Sequence, residues 1–366
     1  MILLWYTIDL MMRGRSAFLV FSVLLMALGL ETDACTSFCL VDEGFPVYGT
    51  NLDFGWGDGL VFVNKRHVVK SNWKTSERDR IISWTSCYGS VTFSLVGREF
   101  AWSGINEAGL VISTMTLPET RCPEPDRRPP LEPGIWSQYL LDTCATVNDV
   151  VQTDDKVRIQ NNPDHYLICD ETGNCAVIEF LQGRMVVRQG EDLEIPVLTN
   201  STYPVSAAYW QRGSLAKWLF SSSKDKPDGS LHRFNCAANK VERFSPKRNL
   251  PTVNYAFKIL DDVSMKKTRW SIVYDIRKRT IHFRTKDVPD RRLIRLKRLD
   301  FTCESPLLFM DINETFSGDV TDLFDGYDRQ RNLDFMVSFC RRYSVSASLE
   351  AIEWLVSRFD SYPCVP

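Results

Sequence analysis

The chain has 366 residues, with 44 Lys and Arg against 46 Asp and Glu, and a net charge of −2 at neutral pH. That balance provides no field to attract nucleic acid or an anionic membrane, so neither is expected as a partner. The length suits one large domain or two small ones.

Residues 1–34 read as a removable pre-segment. Arg13 and Arg15 form a positive n-region, Ala17 to Leu30 an apolar run, and Thr32 and Ala34 stand three and one positions before Cys35. This predicts a signal peptide, a cut before Cys35 and an extracytoplasmic protein, secreted or periplasmic. A retained anchor is disfavoured because a span needs about 20 apolar residues. A lipidated cysteine is the other rival, which Asp33 fits poorly. Apolar Met1 to Leu10 is unusual before an n-region, making Met11 or Met12 an alternative start. Removing residues 1–34 leaves 42 basic and 43 acidic residues, a net charge of −1.

After Cys35 the pattern is strand-rich. Val47 to Leu52, Leu60 to Val69, Val91 to Leu95, Leu110 to Met115, Tyr166 to Cys169, Ala176 to Phe180, Met185 to Arg188 and Ile195 to Leu198 are bounded by Gly, Asp, Asn or Pro. Asn106 and Glu107 read as turn residues. Pro123 to Pro133 reads as a surface loop near the site entrance, leading into a helix at Ile135 to Thr143. Apolar residues at three and four spacings predict helices over Ala207 to Phe220, Leu231 to Phe244 and Tyr255 to Asp261. Trp270 to Tyr274 and Thr280 to Thr285 are two further strands. The basic run Arg291 to Arg298 alternates with Leu and Ile and reads as the solvated side of an element. Helices over Asp328 to Tyr343 and Ser346 to Phe359 close the chain, the second capped by Ser346 or Ser348. Strands in runs with helices grouped between them predict an α+β fold of layered sheets covered by helices.

Eleven cysteines are an odd count. With Cys35 reserved for chemistry, the other ten allow up to five disulfides in an oxidising compartment. Cys169 and Cys175 flank the turn-like Asp170 to Asn174 and are the expected hairpin-closing pair. No CxxC spacing suggests zinc, and His67, His165, His232 and His282 do not pair at ligand spacing, so no metal and no organic cofactor is expected. A papain-like protease is also excluded, because its cysteine opens a helix and needs a partner His.

A cysteine at a new N-terminus carries both a nucleophile and a base. Its α-amine titrates near about 7.7–8.0 and its thiol near about 8.5, so proton transfer between them is cheap near neutral pH. Such a residue needs a carboxylate to orient the amine and donors for the oxyanion.

The motifs CTSF at 35, GTNLD at 49–53, GINEAGL at 104–110, LTNS at 198–201, HRF at 232–234 and TRWSIVYD at 268–275 resemble, in order and spacing, the cholylglycine hydrolase family. That family includes bile salt hydrolases and penicillin V acylases. The resemblance implies a four-layer αββα N-terminal nucleophile hydrolase sandwich of two mostly antiparallel sheets over residues 35–366, as a single domain. It implies hydrolysis of small-molecule N-acyl amides, such as penicillin V, conjugated bile salts or fatty acyl amides, and by analogy a homotetramer. Carried over, Cys35 is the nucleophile, Asp53 the acid that holds its amine, Asn200 the oxyanion donor and Arg233 the arginine at the reacting centre. Thr116 falls where relatives line the oxyanion hole. No stable membrane insertion is expected after processing.

One departure concerns the thiol. Many relatives carry Arg at the place of Thr50, where a cation beside the sulfur lowers its pKa; Lys65 or Arg66 is a candidate substitute. Simpler readings also stand: Asp53 as a turn cap before Gly55, Asn200 as a glycosylation sequon, and Arg233 in an ion pair with Asp228 or Glu242. Asn313 is the better glycan candidate. Trp56, Phe62, Trp73, Trp84, Trp102 and Trp136 are candidate acyl surfaces, otherwise core. An inactive exported binding protein of the same fold, or a lipidated surface protein, is the alternative function.

Overall fold

In this computed structural model the described residues are 34–42, 45–74, 79–212, 229–245 and 252–365. The expected signal peptide and the second half of the helix expected over Ala207 to Phe220 lie outside them. Among the described residues no helix is long and apolar enough to cross a membrane.

Two large sheets form the centre. The first runs Val197–Leu198, Thr36–Asp42, Phe45–Asp53, Thr268–Asp275, Thr280–Thr285, Arg292–Arg295, Gly318–Asp319, antiparallel except at its last pair. The second runs Arg184–Gln189, Cys175–Leu181, Asp164–Cys169, Val111–Thr116, Ser103–Asn106, Ser90–Ser94, Leu60–Asn64, Leu308–Asp311, Asp325–Gly326. Helices Ser230–Glu242 and Thr252–Asp262 cover the first sheet, and helix Pro133–Thr143 covers the second. The result is the layered α+β sandwich expected from the sequence.

Strand alternation assigns side chains to faces. On Thr36–Asp42, Ser37 and Cys39 face the second sheet, where the Cys39 sulfur lies within 4.8 Å of those of Cys169 and Cys175. Thr36 and Phe38 face the helices. Phe38 stands opposite Gly49, and a Cβ on that glycine would sit 2.5 Å from the Phe38 ring. Any side chain at the head of GTNLD would therefore have to displace the buried Phe38 ring. Buried phenols join the sheets: Tyr48 donates to the Leu167 carbonyl at 3.0 Å, and Tyr274 and Ser103 share a hydrogen bond of 2.8 Å.

Several expectations need correction. The run Leu60 to Val69 is two strands, broken where His67 adopts φ 64°. Ser103–Asn106 is a strand that the sequence reading missed. Arg292, within the basic run, is 1 % exposed and donates to the Ile312 and Glu314 carbonyls, whereas Arg295 and Arg298 pair with Asp319 at the surface. Cys169–Cys175 closes its hairpin as expected, and among the described residues a second disulfide joins Cys303 and Cys364, while seven cysteines lie outside these two pairs. The last helix, Leu349–Asp360, is capped by Ser348.

Candidate active site

Cys35 precedes the first strand and is 3 % exposed, with its backbone held on both sides. Its N–H donates to Asn200 Oδ1 at 2.7 Å, and its carbonyl accepts from Arg233 Nη1 at 2.5 Å. Arg233 also donates to Thr36 Oγ1 at 2.7 Å and to Asn200 Oδ1 at 3.0 Å. Of the alternative ion-pair partners, Asp228 lies outside the described residues. Asn200 Nδ2 donates to the Thr116 carbonyl at 2.9 Å, so Thr116 enters through its backbone and links the site to the second sheet.

Asp53 ends the strand paired with Thr36–Asp42, which begins just after Cys35. The Ala34 N–H donates to its backbone carbonyl at 3.1 Å. Its carboxylate is fully buried on the helix face, like Asn51, whose amide reaches the Leu260 carbonyl. One oxygen accepts from Thr268 Oγ1; the other, Oδ2, has no hydrogen-bond partner among the described residues and lies 4.0 Å from Arg233 Nη1. Thr268 stands opposite Asp53 in register. It was not singled out in the sequence, although it opens the motif TRWSIVYD. All five expected residues thus meet within one network.

Burial pushes the Asp53 carboxyl from its ordinary 3.8 up to about 6, against the opposing pull of Thr268, Arg233 and Lys267. A carboxyl raised in the folded state costs nothing below pH 3.8 and progressively more as pH rises through about 6. Above that the cost is about 3 kcal/mol. With Ala34 still joined to Cys35, Asp53→Asn is expected to raise the thermal midpoint at pH 7.5 and lose that advantage by pH 4. Parallel midpoint curves for the two chains across that range would disprove it.

The place of Thr50 holds no cation. Alternation carried back one residue puts the Cys35 side chain on the face of Ser37 and Thr50, and these two hydroxyls bond each other at 2.8 Å. Lys65 and Arg66 do not substitute: Lys65 Nζ reaches the Asp300 carbonyl, and Arg66 pairs with Glu107. Glu107 is a turn residue as expected, whereas Asn106 is the last residue of strand Ser103–Asn106 and accepts the Leu110 N–H across that turn. Asn313 is half-buried, its amide on the Gly57 carbonyl, which argues against a glycan there. The expected acyl surfaces are engaged in packing: Trp56 against Phe335, Phe339 and Tyr343, Trp102 against Trp270, Trp136 against Tyr166. Among the described residues the single cluster at metal-ligand spacing is Cys39, Cys169 and Cys175, two of which form a disulfide.

The family model for linear amide C-N hydrolases of the choloylglycine hydrolase family matches residues 35–233, opening on Cys35 and closing on Arg233. The chain belongs to this family. The choloylglycine hydrolase assignment agrees with its relatives. A penicillin V acylase of Pectobacterium atrosepticum is 24 % identical over 343 residues, covering 79 % of this chain and 88 % of that protein. The penicillin V acylase structure from Agrobacterium tumefaciens superposes with a TM-score of 0.69 at 23 % identity, covering 80 % of this chain and 98 % of that one. A variant of conjugated bile acid hydrolase from Clostridium perfringens gives 0.61 at 15 %, covering 77 % and 98 %. These likenesses establish the N-terminal nucleophile hydrolase fold.

Proposed function

We propose that this chain hydrolyses linear N-acyl amides through a thioester on Cys35, which becomes N-terminal when the Ala34–Cys35 bond is cut. The observation that carries the reading is the convergence of Asn200 and Arg233 on the Cys35 backbone, with the Asp53 carboxylate 4.0 Å from the same Arg233 nitrogen, from three separate parts of the sequence. The cut would turn the Cys35 amide into an amine within the network of Arg233, whose guanidinium also faces the Asp53 carboxylate oxygen that has no hydrogen-bond partner among the described residues. An ammonium there offsets the cost of burying Asp53's charge and fixes the amine's orientation.

In the reaction, the amine takes the thiol proton and the sulfur attacks the carbonyl carbon of R–CO–NH–R′. The Asn200 amide has a second N–H besides the one on Thr116, and this serves as oxyanion donor. Collapse breaks the C–N bond, with the α-ammonium giving its proton to the leaving amine. Water then attacks the thioester with the same amine as base, releasing R–COOH and restoring the thiol. Arg233 holds the Cys35 carbonyl, keeping amine and sulfur in register. The names of the relatives, penicillin V acylase and conjugated bile acid hydrolase, support an acyl amide as the substrate class.

Two disulfides and the pre-segment support an extracytoplasmic location. Intact mass and N-terminal sequencing of the exported protein should find a chain beginning at Cys35 with an unmodified amine. An uncleaved active chain, or an acylated Cys35, would overturn the mechanism. Thr50 favours one rival, a binding protein that keeps the fold without turnover. A panel of N-acyl amides decides between them, since only the enzyme gives hydrolysis.

A further inference from the structure

We propose that His165 and Glu179 are positioning residues for Asn200, acting as a buried clamp on the turn that carries it. This rests on the reading of Asn200 as oxyanion donor. His165 lies on Asp164–Cys169 and Glu179 on the adjacent Cys175–Leu181 of the second sheet, and both are fully buried. The register Tyr166↔Ile178, carried one step further, sets them opposite each other. His165 Nδ1 lies 3.3 Å from Glu179 Oε1, and His165 Nε2 lies 2.5 Å from the Thr199 carbonyl oxygen. Glu179 Oε1 also accepts the Tyr203 N–H at 2.8 Å.

These contacts bracket Asn200. Thr199 immediately precedes it, and Tyr203 opens helix Tyr203–Gln211 just beyond it. A carbonyl oxygen only accepts, so the hydrogen in the contact with Thr199 belongs to His165 Nε2. From the other side Ser230 Oγ accepts the Asn200 N–H at 2.9 Å, at the start of the helix that carries Arg233. The turn is therefore gripped between the second sheet and the Arg233 helix, which leaves its side-chain amide little freedom.

Space filling alone does not account for this pair. Two ionisable side chains removed from water cost stability unless their hydrogen bonds compensate, and an aliphatic pair would fill the volume without that cost. What His165 and Glu179 supply that an aliphatic pair would not is direction: a donor aimed at one backbone group and an acceptor at another, flanking a residue whose amide must meet a developing charge. Such donors need placement within a fraction of an ångström, and a misplacement of about 1 Å costs about 10²-fold.

The test compares His165→Leu and His165→Gln with the processed wild type. It measures kcat and KM on a hydrolysed N-acyl amide, the alkylation rate of Cys35, and hydrogen exchange of the 199–203 amides. For Leu the expected result is a kcat lower by about 10²-fold, KM within about threefold, Cys35 alkylation unchanged, and faster exchange in 199–203. Gln, whose amide N–H can still reach Thr199, should recover kcat to within about tenfold of wild type. Unchanged exchange in His165→Leu overturns the clamp. Faster exchange with unchanged kcat overturns its catalytic purpose. A kcat loss that tracks the unfolded fraction, or that Gln does not rescue, also overturns it. A wild type inactive on every amide would refute the hydrolase reading and with it the catalytic purpose, while exchange would still decide the clamp by itself.

Discussion

Replacing Cys35 with Ala is expected to take amide hydrolysis to background, a loss on the order of 10⁶-fold when a covalent nucleophile is removed. Produced with its chain beginning at position 35, the variant has an amine there with Asn200, Arg233 and Asp53 unchanged in sequence, so it isolates the sulfur from the rest of the site. Chemical modification gives an independent check. Burial raises the thiols of Cys144 and Cys340 to about 12 and that of Cys39 further, so these react slowly. Exposed Cys87 is the main competitor. In a Cys87→Ser background, activity should fall in proportion to alkyl groups mapped to Cys35. An Ala variant that retains a tenth of wild-type turnover would exclude the thioester.

Asn200→Ala is expected to lower kcat by about 10²–10³, the usual result of losing one oxyanion donor. Asn200 has two jobs: Oδ1 accepts from Cys35 and Arg233, and Nδ2 donates to Thr116. Alanine removes both. Asn200→Asp separates them, because a carboxylate still accepts from Cys35 and Arg233 but donates nothing and repels an oxyanion. The Asp variant should fold and lose at least as much kcat as the Ala variant. Retention of a third of wild-type kcat in Asp would assign Asn200 to holding Cys35 rather than to stabilising charge.

What the sequence revealed divides along the range of the interactions. Cys35 and Asp53 belong to one hairpin, so their proximity follows from local pairing of CTSF with GTNLD. Asn200 and Arg233 were reached through the resemblance, since no periodicity brings positions so far apart together. Thr116 was located, but its contribution is a carbonyl, which no residue type announces. Thr268, Ser230, His165 and Glu179 carry ordinary signatures of strand or helix and gain meaning only from long-range contacts. Local errors have local causes: Ser103–Asn106 is short and lacks β-branched alternation, and the positive φ at His67 breaks a run that composition alone reads as continuous. Arg292 was misplaced because its neighbours face solvent while it folds beneath Phe283.

On the proposed mechanism, the attachment of Asn200 to Cys35 on one layer and to Thr116 on the other makes the reaction's critical spacing a matter of alignment between two stacked slabs. Any repacking that slides one slab along its neighbour would detune turnover from a distance, leaving every reactive group intact.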